Sequence, residues 1–201
     1  MARPRDPEKR LLLARAAVTV LEQQGVDLSM AALADALGVK RPTLHYHFPS
    51  KSDIVSLALV DLLTQQASAV LAEVNRHSHP IDRLYAHLLA VHRFHHGREQ
   101  RIVFLTQAIA ATAGAQLPNV LAAGDQVFEL HRRDVVRRLR VGVEEGTVAP
   151  CDPDALFACV RALADGLLVQ RVVDQASLEA AHVFVWERVL LPLRLSTSSP
   201  A

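Results

Sequence analysis

Apolar residues recur at helical spacing along almost the whole chain, and no segment shows the strict alternation of a half-buried strand. Leu12, Leu13, Ala16, Ala17, Val20 and Leu21 mark the buried side of a helix predicted from Pro7 to Gln24, and Gly25 ends it. A shorter helix follows a Ser29 cap, with Leu33, Ala34 and Leu37 on one face. Gly38 supplies a tight turn and Val39 a plug between elements. A second short helix starts near Arg41, with Pro42 in its first turn, where a missing N–H costs nothing. It has a single core residue, Leu44, ringed by Thr43, His45, Tyr46 and His47. So short a helix, tipped with polar and aromatic groups, is poorly built for a core. It is well suited to a DNA major groove.

Longer elements come next. Ser50 caps a helix from Lys51 to about Asn75, with Asp53 in its first turn. Pro80 opens a helix that Gly97 closes after His96. The stretch Arg98 to Thr112 is apolar nearly all round, which predicts a central helix. Gly114 and Pro118 break the chain before a long helix from about Asn119 to Glu145, stopped by Gly146. Asp152 and Pro153 start a helix to about Val173, and a last one spans Ser177 to Leu191. The expectation is an all-α chain of about nine helices. A three-helix DNA-binding head fills 1–52, a helical ligand-binding and dimerisation body 53–195, and a disordered tail 196–201.

The helix-turn-helix stretch, with the residues around it, resembles the DNA-binding domain of TetR-family regulators. The resemblance runs from Arg10 to about Leu59. It is carried by Arg10, Ala14, Ala16, Ala17 and Gly25, then by Leu33-Ala34 and Leu37-Gly38-Val39. The run Thr43-Leu44-His45-Tyr46-His47-Phe48 with Ser50-Lys51 completes it. This chain has His45 where the family usually has Tyr, and Met30 and Ala31 where it often has Thr or a longer polar residue. The resemblance implies a homodimeric regulator, released from a palindromic operator by a small molecule bound in the body. Ser29, Thr43 and Lys51 would sit on phosphates with help from His45 and His47, and Lys40, Arg41 and Tyr46 would read bases. Arg3 and Arg5 would extend as an arm into a minor groove. The family layout also implies a dimer through the last two helices. Leu156, Val160, Leu163, Leu167, Val169 and Val172 load one of them, and Ala181, Val185, Arg188, Val189 and Leu190 the other, both more apolar than one-sided packing requires.

Charge distribution agrees with a head that meets phosphate. In residues 1–52 there are eight bases (Arg3, Arg5, Lys9, Arg10, Arg15, Lys40, Arg41, Lys51) and five acids (Asp6, Glu8, Glu22, Asp27, Asp35), a surplus of +3. The remaining 14 bases and 16 acids leave −2. At 201 residues and 50% hydrophobic, the chain can bury a substantial core and still spare surface for an interface. Cys151 and Cys159, eight apart, form neither a zinc motif nor a disulfide framework, which suits a reduced cytoplasmic setting. Leu11–Leu21 follows basic residues like a leader peptide, but Arg15 interrupts it and no cleavage motif follows, so it reads as an amphipathic helix. The run Val103–Ala115 is too short and too polar to span a bilayer, so no membrane partner is expected.

The 10 histidines are the remaining candidate chemistry. His92, His95 and His96 continue the stripe Ile81, Leu84, Tyr85, Leu88, and His131 lies on the stripe Phe128, Val135, Leu139. They can be structural, they can orient a ligand, or they can hold a metal; no His-x-x-x-His motif with a Glu favours the last, and no metal or cofactor is assigned. Gln107, alone in an apolar helix, reads as a buried amide in need of a partner, with Phe104 and Phe128 as apolar walls. The arginines 132, 133, 137, 138 and 140 read as a solvated face paired with Asp134, Glu144 and Glu145. No phosphate loop, nucleophile elbow or paired-carboxylate frame marks an enzyme. An alternative remains a small-molecule-binding or enzymatic body with a vestigial head. The sequence names neither effector nor operator.

Overall fold

A computed structural model describes residues 6–112, 117–175 and 177–195. Arg3, Arg5, Gly114 and the 196–201 tail lie outside the described residues. The helices are α1 (Pro7–Gln24), α2 (Met30–Ala36), α3 (Arg41–His47), α4 (Lys51–Val74), α5 (Pro80–His95), α6 (Glu99–Thr112), α7 (Leu117–Glu144), α8 (Pro153–Asp174) and α9 (Glu179–Phe184). Their starts are set by side chains that satisfy the first free N–H groups. Asp6 accepts from the N–H of Glu8 and Lys9, Ser29 from Ala32, and Asp152 from Asp154 and Ala155. Ser50 and Asp53 cap α4 reciprocally: the Asp53 carboxylate accepts from Ser50 N–H at 2.9 Å, and the Ser50 hydroxyl accepts from Asp53 N–H at 3.3 Å.

Packing divides the chain into two compact units. One takes the chain up to Thr64 together with Gln100–Asp125, the other Gln65–Glu99 together with the chain from Gln126. The core of the first joins Ala14, Ala17, Val18 and Leu21 of α1, Leu33 and Ala34 of α2, Leu44 and Phe48 at α3, and Ile54, Val55, Ala58 and Leu59 of α4. Leu105 and Ala108 of α6 belong to the same core, so the head's packing extends beyond residue 52. On α1 the buried set is 14, 17, 18 and 21; Leu12 and Ala16, expected inside, lie on the opposite side of the helix and are exposed.

The second unit is organised on α5. Ten of its residues are buried, including the polar Arg83, His87, His92 and His95. They pack against Val135 and Leu139 of α7, Phe157, Val160, Ala164 and Leu168 of α8, and Val185 and Leu190 beyond α9. This corrects the expectation that the 98–112 helix is the central one. Gln107 and Ala110 of α6 are exposed, whereas α5 hides its polar residues by hydrogen-bonding them inside. Arg83 is the clearest case. Its guanidinium donates to the carbonyls of Val74 and His77 and to Asn75 Oδ1, capping the end of α4 from a neighbouring helix.

α4 is long and apolar enough to cross a membrane by length and composition. Here its apolar residues enter protein cores, Ile54 to Leu59 in the first unit and Val70 and Val74 in the second. The predicted last helix is regular only to Phe184. A π turn (Val185–Leu190) and a 3-10 turn (Leu191–Leu193) replace its end. Pro192 explains this: it has no N–H to donate, and its ring crowds the carbonyl four residues back. The chain then returns to form an antiparallel bridge between Val148 and Arg194, an element absent from the sequence expectation. Ala149 N–H donates to Leu193 O and Leu195 N–H to Thr147 O, both at 2.9 Å.

The turn after α7 closes over Gly142. A Cβ built there falls 2.7 Å from Val148 Cγ2 and 3.1 Å from Thr147 Oγ1. Helix propensity alone favours Ala over Gly by about 1 kcal/mol. Overpacking opposes it, so Gly142→Ala is predicted to destabilise the second unit by about 1–3 kcal/mol. Urea unfolding followed by the fluorescence of Trp186, the chain's one tryptophan, measures this; a stabilised variant would contradict the packing.

Candidate functional site

In the first unit α3 is held by one face. Leu44 and His47 on the helix and Phe48 just after it are buried, at the i, i+3, i+4 spacing of a single stripe. Gly38, with φ +64°, makes the sharp turn before it, and Val39 N–H donates to Ala34 O at 3.0 Å. The rest of α3 faces outward. Lys40, Arg41 and Tyr46 are exposed, and Thr43 and His45 are half-buried. Five of the eight predicted DNA contacts therefore share one outward surface.

The other three sit differently. Ser29 is exposed but its oxygen already accepts from Ala32 N–H at 3.1 Å. Lys51 is half-buried and its ammonium donates to Val26 O at 2.7 Å, tying the start of α4 to the turn after α1. His47 is buried, edge-on to Tyr46 with ring centroids 5.1 Å apart and tilted against Phe48. Position 47 falls on the Leu44 face, so the ring belongs to the packing beneath α3.

Ion pairs fasten the helices of this unit. Arg15 of α1 grips Asp61 of α4 through two bonds of 2.7 Å. Arg101 of α6 donates to both carboxylate oxygens of Glu22 and to the hydroxyl of Thr19, all on α1. α1 is thus bonded to both helices that complete the head's core. The sequence reading assigned no role to Arg101 or Asp61; their partners lie 79 and 46 positions away and carry no local signal.

The seven predicted ligand contacts are divided between the two units. Phe104 and Gln107 belong to the first unit, the others to the second. Phe104 is half-buried against the head core, and Gln107 is exposed, so it is not the buried amide expected. In the second unit His96 is exposed and accepts from the Arg171 guanidinium at 3.0 Å. Phe128 is half-buried with the Arg161 guanidinium 5.9 Å from its ring centroid. His92, His95 and His131 are buried.

Those three join two histidines that sequence reasoning passed over. His87 Nδ1 and His131 Nε2 are hydrogen-bonded at 3.0 Å, their rings nearly parallel at 12°, with Phe157 against both. His92 Nδ1 meets His182 Nε2 at 2.6 Å, while His92 Nε2 contacts Ala164 O at 2.8 Å. A carbonyl only accepts, so His92 Nε2 carries its proton; with that ring neutral, His182 Nε2–H donates to His92 Nδ1. His95 Nε2 donates to Gln66 Oε1 at 2.7 Å. His87 escaped notice because it lies off the apolar stripe and is buried only since α5 is enclosed on nearly all sides.

Among the described residues no group of three or more His, Cys, Asp or Glu side chains is placed to hold a metal. The second unit also carries an open cleft of about 470 Å³ beside Tyr85 and Trp186, with Glu73, Asp82 and Arg93 along it; none of the seven predicted residues lines it. The α7 arginines are paired, as a solvated face requires, though with Glu129, Asp134 and Asp154.

Burial sets the charge of the histidines. It pushes His87 from the ordinary 6.5 down to about 3 and His95 to about 4, and it lowers His92, His131 and His182. Each is neutral when folded and titrates normally when unfolded, so the unfolded chain binds more protons once the pH falls below about 6.5. The second unit is predicted to hold full stability above that pH and to lose it progressively down to about pH 3. The loss is about 2 kcal/mol per fully suppressed imidazole between pH 6.5 and 5. Urea unfolding of the second unit at pH 7.5 and pH 5 measures it; equal stability at the two would contradict the network.

Comparison with known proteins fits this geometry. Residues 13–58 match the family described as bacterial regulatory proteins, tetR family. The HTH-type transcriptional regulator EthR of Mycobacterium tuberculosis is 34% identical over 83 residues, 41% of this chain and 38% of EthR. The class A tetracycline repressor protein from transposon 1721 of Escherichia coli is 45% identical over 67 residues, 33% of this chain and 27% of that protein. The chain thus matches less than half the length of either relative. Across 91% of the chain, the fold is that of a putative transcriptional regulator from Saccharomonospora viridis solved in complex with choline, with TM-score 0.68, 20% identity and 98% of that chain covered. Residues 13–58 thus carry the helix-turn-helix segment of the tetR family of bacterial regulatory proteins, within an all-helical fold that the chain shares with a solved regulator.

Proposed function

We propose that the chain is a cytoplasmic, homodimeric, non-enzymatic transcriptional repressor that grips a palindromic DNA operator and is released from it by a small molecule. The observation that carries this reading is α3. Its buried side chains fix the helix, and Lys40, Arg41, Thr43, His45 and Tyr46 are left outward on a segment too short to serve a core. Lys40, Arg41 and Tyr46 read bases; Thr43 and His45 hold phosphates, with Ser29 and the two remaining donors of the Lys51 ammonium. His47 acts from beneath by fixing Tyr46.

A second copy covers the outer face of α8 and α9. Val160, Val185 and Leu190 are spent on the chain's own core. The opposite side still exposes Ala155, Cys159, Ala162, Gly166, Val169 and Val173 at helical spacing, followed by Val183, Phe184 and Leu191. Val173 is 74% exposed and Phe184 62%, an apolar surface that a single copy leaves wet. A two-fold pair presents two α3 helices to the two halves of a palindrome. The effector binds the second unit, where His92, His95 and His131 with Phe128 are the proposed contacts. It shifts the equilibrium only as far as it prefers the released state. A regulator of the same fold solved with choline supports a small molecule in that role.

Selection from a random duplex pool is expected to enrich a palindrome, with affinity falling steeply with salt; absence of enrichment would overturn the reading. Arg41→Ala is expected to cost about 1–3 kcal/mol at one base position per half-site and to relax specificity there, read by binding to single-base variants of the selected site. Phe184→Glu is expected to yield a folded monomer by light scattering that no longer distinguishes the palindrome from a single half-site. A dimer persisting in this variant would contradict the assigned face.

A further inference from the structure

The cations of the first unit fall into two groups. Arg15 and Arg101 are matched by Asp61 and by Glu22, and Lys51 by a backbone carbonyl. Arg10 is not matched. It lies in the first turns of α1, half-buried, with its guanidinium carbon 5.2 Å from the centroid of the Phe48 ring. Its Nε is buried without a hydrogen-bond partner, and no carboxylate pairs with the group among the described residues. Asp6, the acid one turn before it, is engaged by the N–H groups of Glu8 and Lys9.

That is an uncommon state for a guanidinium. Stacking on an aromatic face offsets only part of the cost of leaving a desolvated donor unsatisfied. The group is held in place and left without an acceptor. Phe48, its support, is fully buried at the end of α3, so the guanidinium is stationed beside the end of the helix that carries Lys40, Arg41 and Tyr46. A stacked guanidinium presents its remaining N–H groups as a fork that matches a phosphate.

We infer that Arg10 is a phosphate clamp: stacked on Phe48, it donates to a phosphodiester oxygen of the DNA backbone flanking the groove that α3 enters. The contact positions the head and is blind to sequence. The inference rests on the DNA-binding reading above.

The test uses the full-length chain and a mixed-sequence 30-base-pair duplex, with affinity followed over a potassium chloride series. Each phosphate neutralised contributes about 0.9 to the slope of log affinity against log salt. Arg10→Gln is expected to reduce the slope by about 0.9 per bound protomer and to weaken every sequence by the same factor, roughly tenfold per protomer. Arg10→Lys is expected to keep the slope while losing part of the affinity, since lysine keeps the charge without the stacked fork. An unchanged slope in Arg10→Gln would overturn the clamp, and so would a loss confined to one base position. A lowered melting temperature with an unchanged slope would make Arg10 a packing residue for Phe48. Failure of the wild-type chain to bind any duplex would remove the regulator reading itself, and is distinguished by the wild-type arm alone.

Discussion

Everything outward on the head depends on the burial of one short stripe. A seven-residue helix is far below the length at which a helix holds itself in water. α3 exists because Leu44, His47 and Phe48 are locked into a core shared with α1, α2, α4 and α6. Fixing that stripe fixes the rotation of α3, and the rotation decides which side chains face away. The same constraint buries His47 and leaves Tyr46, Arg41 and Lys40 exposed. The buried Phe48 does a second job, since its ring face carries the Arg10 guanidinium.

Electrostatics then separates structural from available charge. Ion pairs bind α1 to α4 and to α6, so the arginines that make them have little left to offer a ligand. The α7 arginines are likewise shared among Glu129, Asp134 and Asp154, and Glu129 is held down to about 2 by Arg132 and Arg133. A high count of arginines on one helix is therefore poor evidence for a nucleic-acid surface. The more telling feature is a cation held in place with no acceptor. In the second unit the equivalent economy is among histidines, which pair with one another and with Gln66 and Ala164 and remain neutral. They build polar contacts into an apolar core without burying a charge.

Much of the head was legible in the sequence because its signals are local. Ser29 and Ser50 are caps, Gly25 and Gly38 are turn residues, and Leu33, Ala34 and Leu44 are core positions within a few residues of one another. The body was less legible, for a physical reason. Apolar composition suggested that α6 is central, but α5 is the enclosed helix, and it satisfies two of its histidines through partners 44 and 90 positions away (His131 and His182). No periodicity reports such pairs. Gln107 misled in the opposite sense, an isolated amide on an apolar helix that faces outward. The end of the last helix was misread because Pro192 acts on the turn before it, and the Val148–Arg194 bridge depends on a return of the chain that no local pattern encodes.

The most direct test of the account is to map, by amide chemical shifts of the labelled full-length chain, which residues respond as a duplex carrying the selected site is added. The account predicts shifts concentrated on Lys40, Arg41, Thr43, His45 and Tyr46, extending to Ser29 and Lys51, with residues 132–140 of α7 unmoved. Shifts centred on the α7 arginines, or none on the outward face of α3, would contradict it.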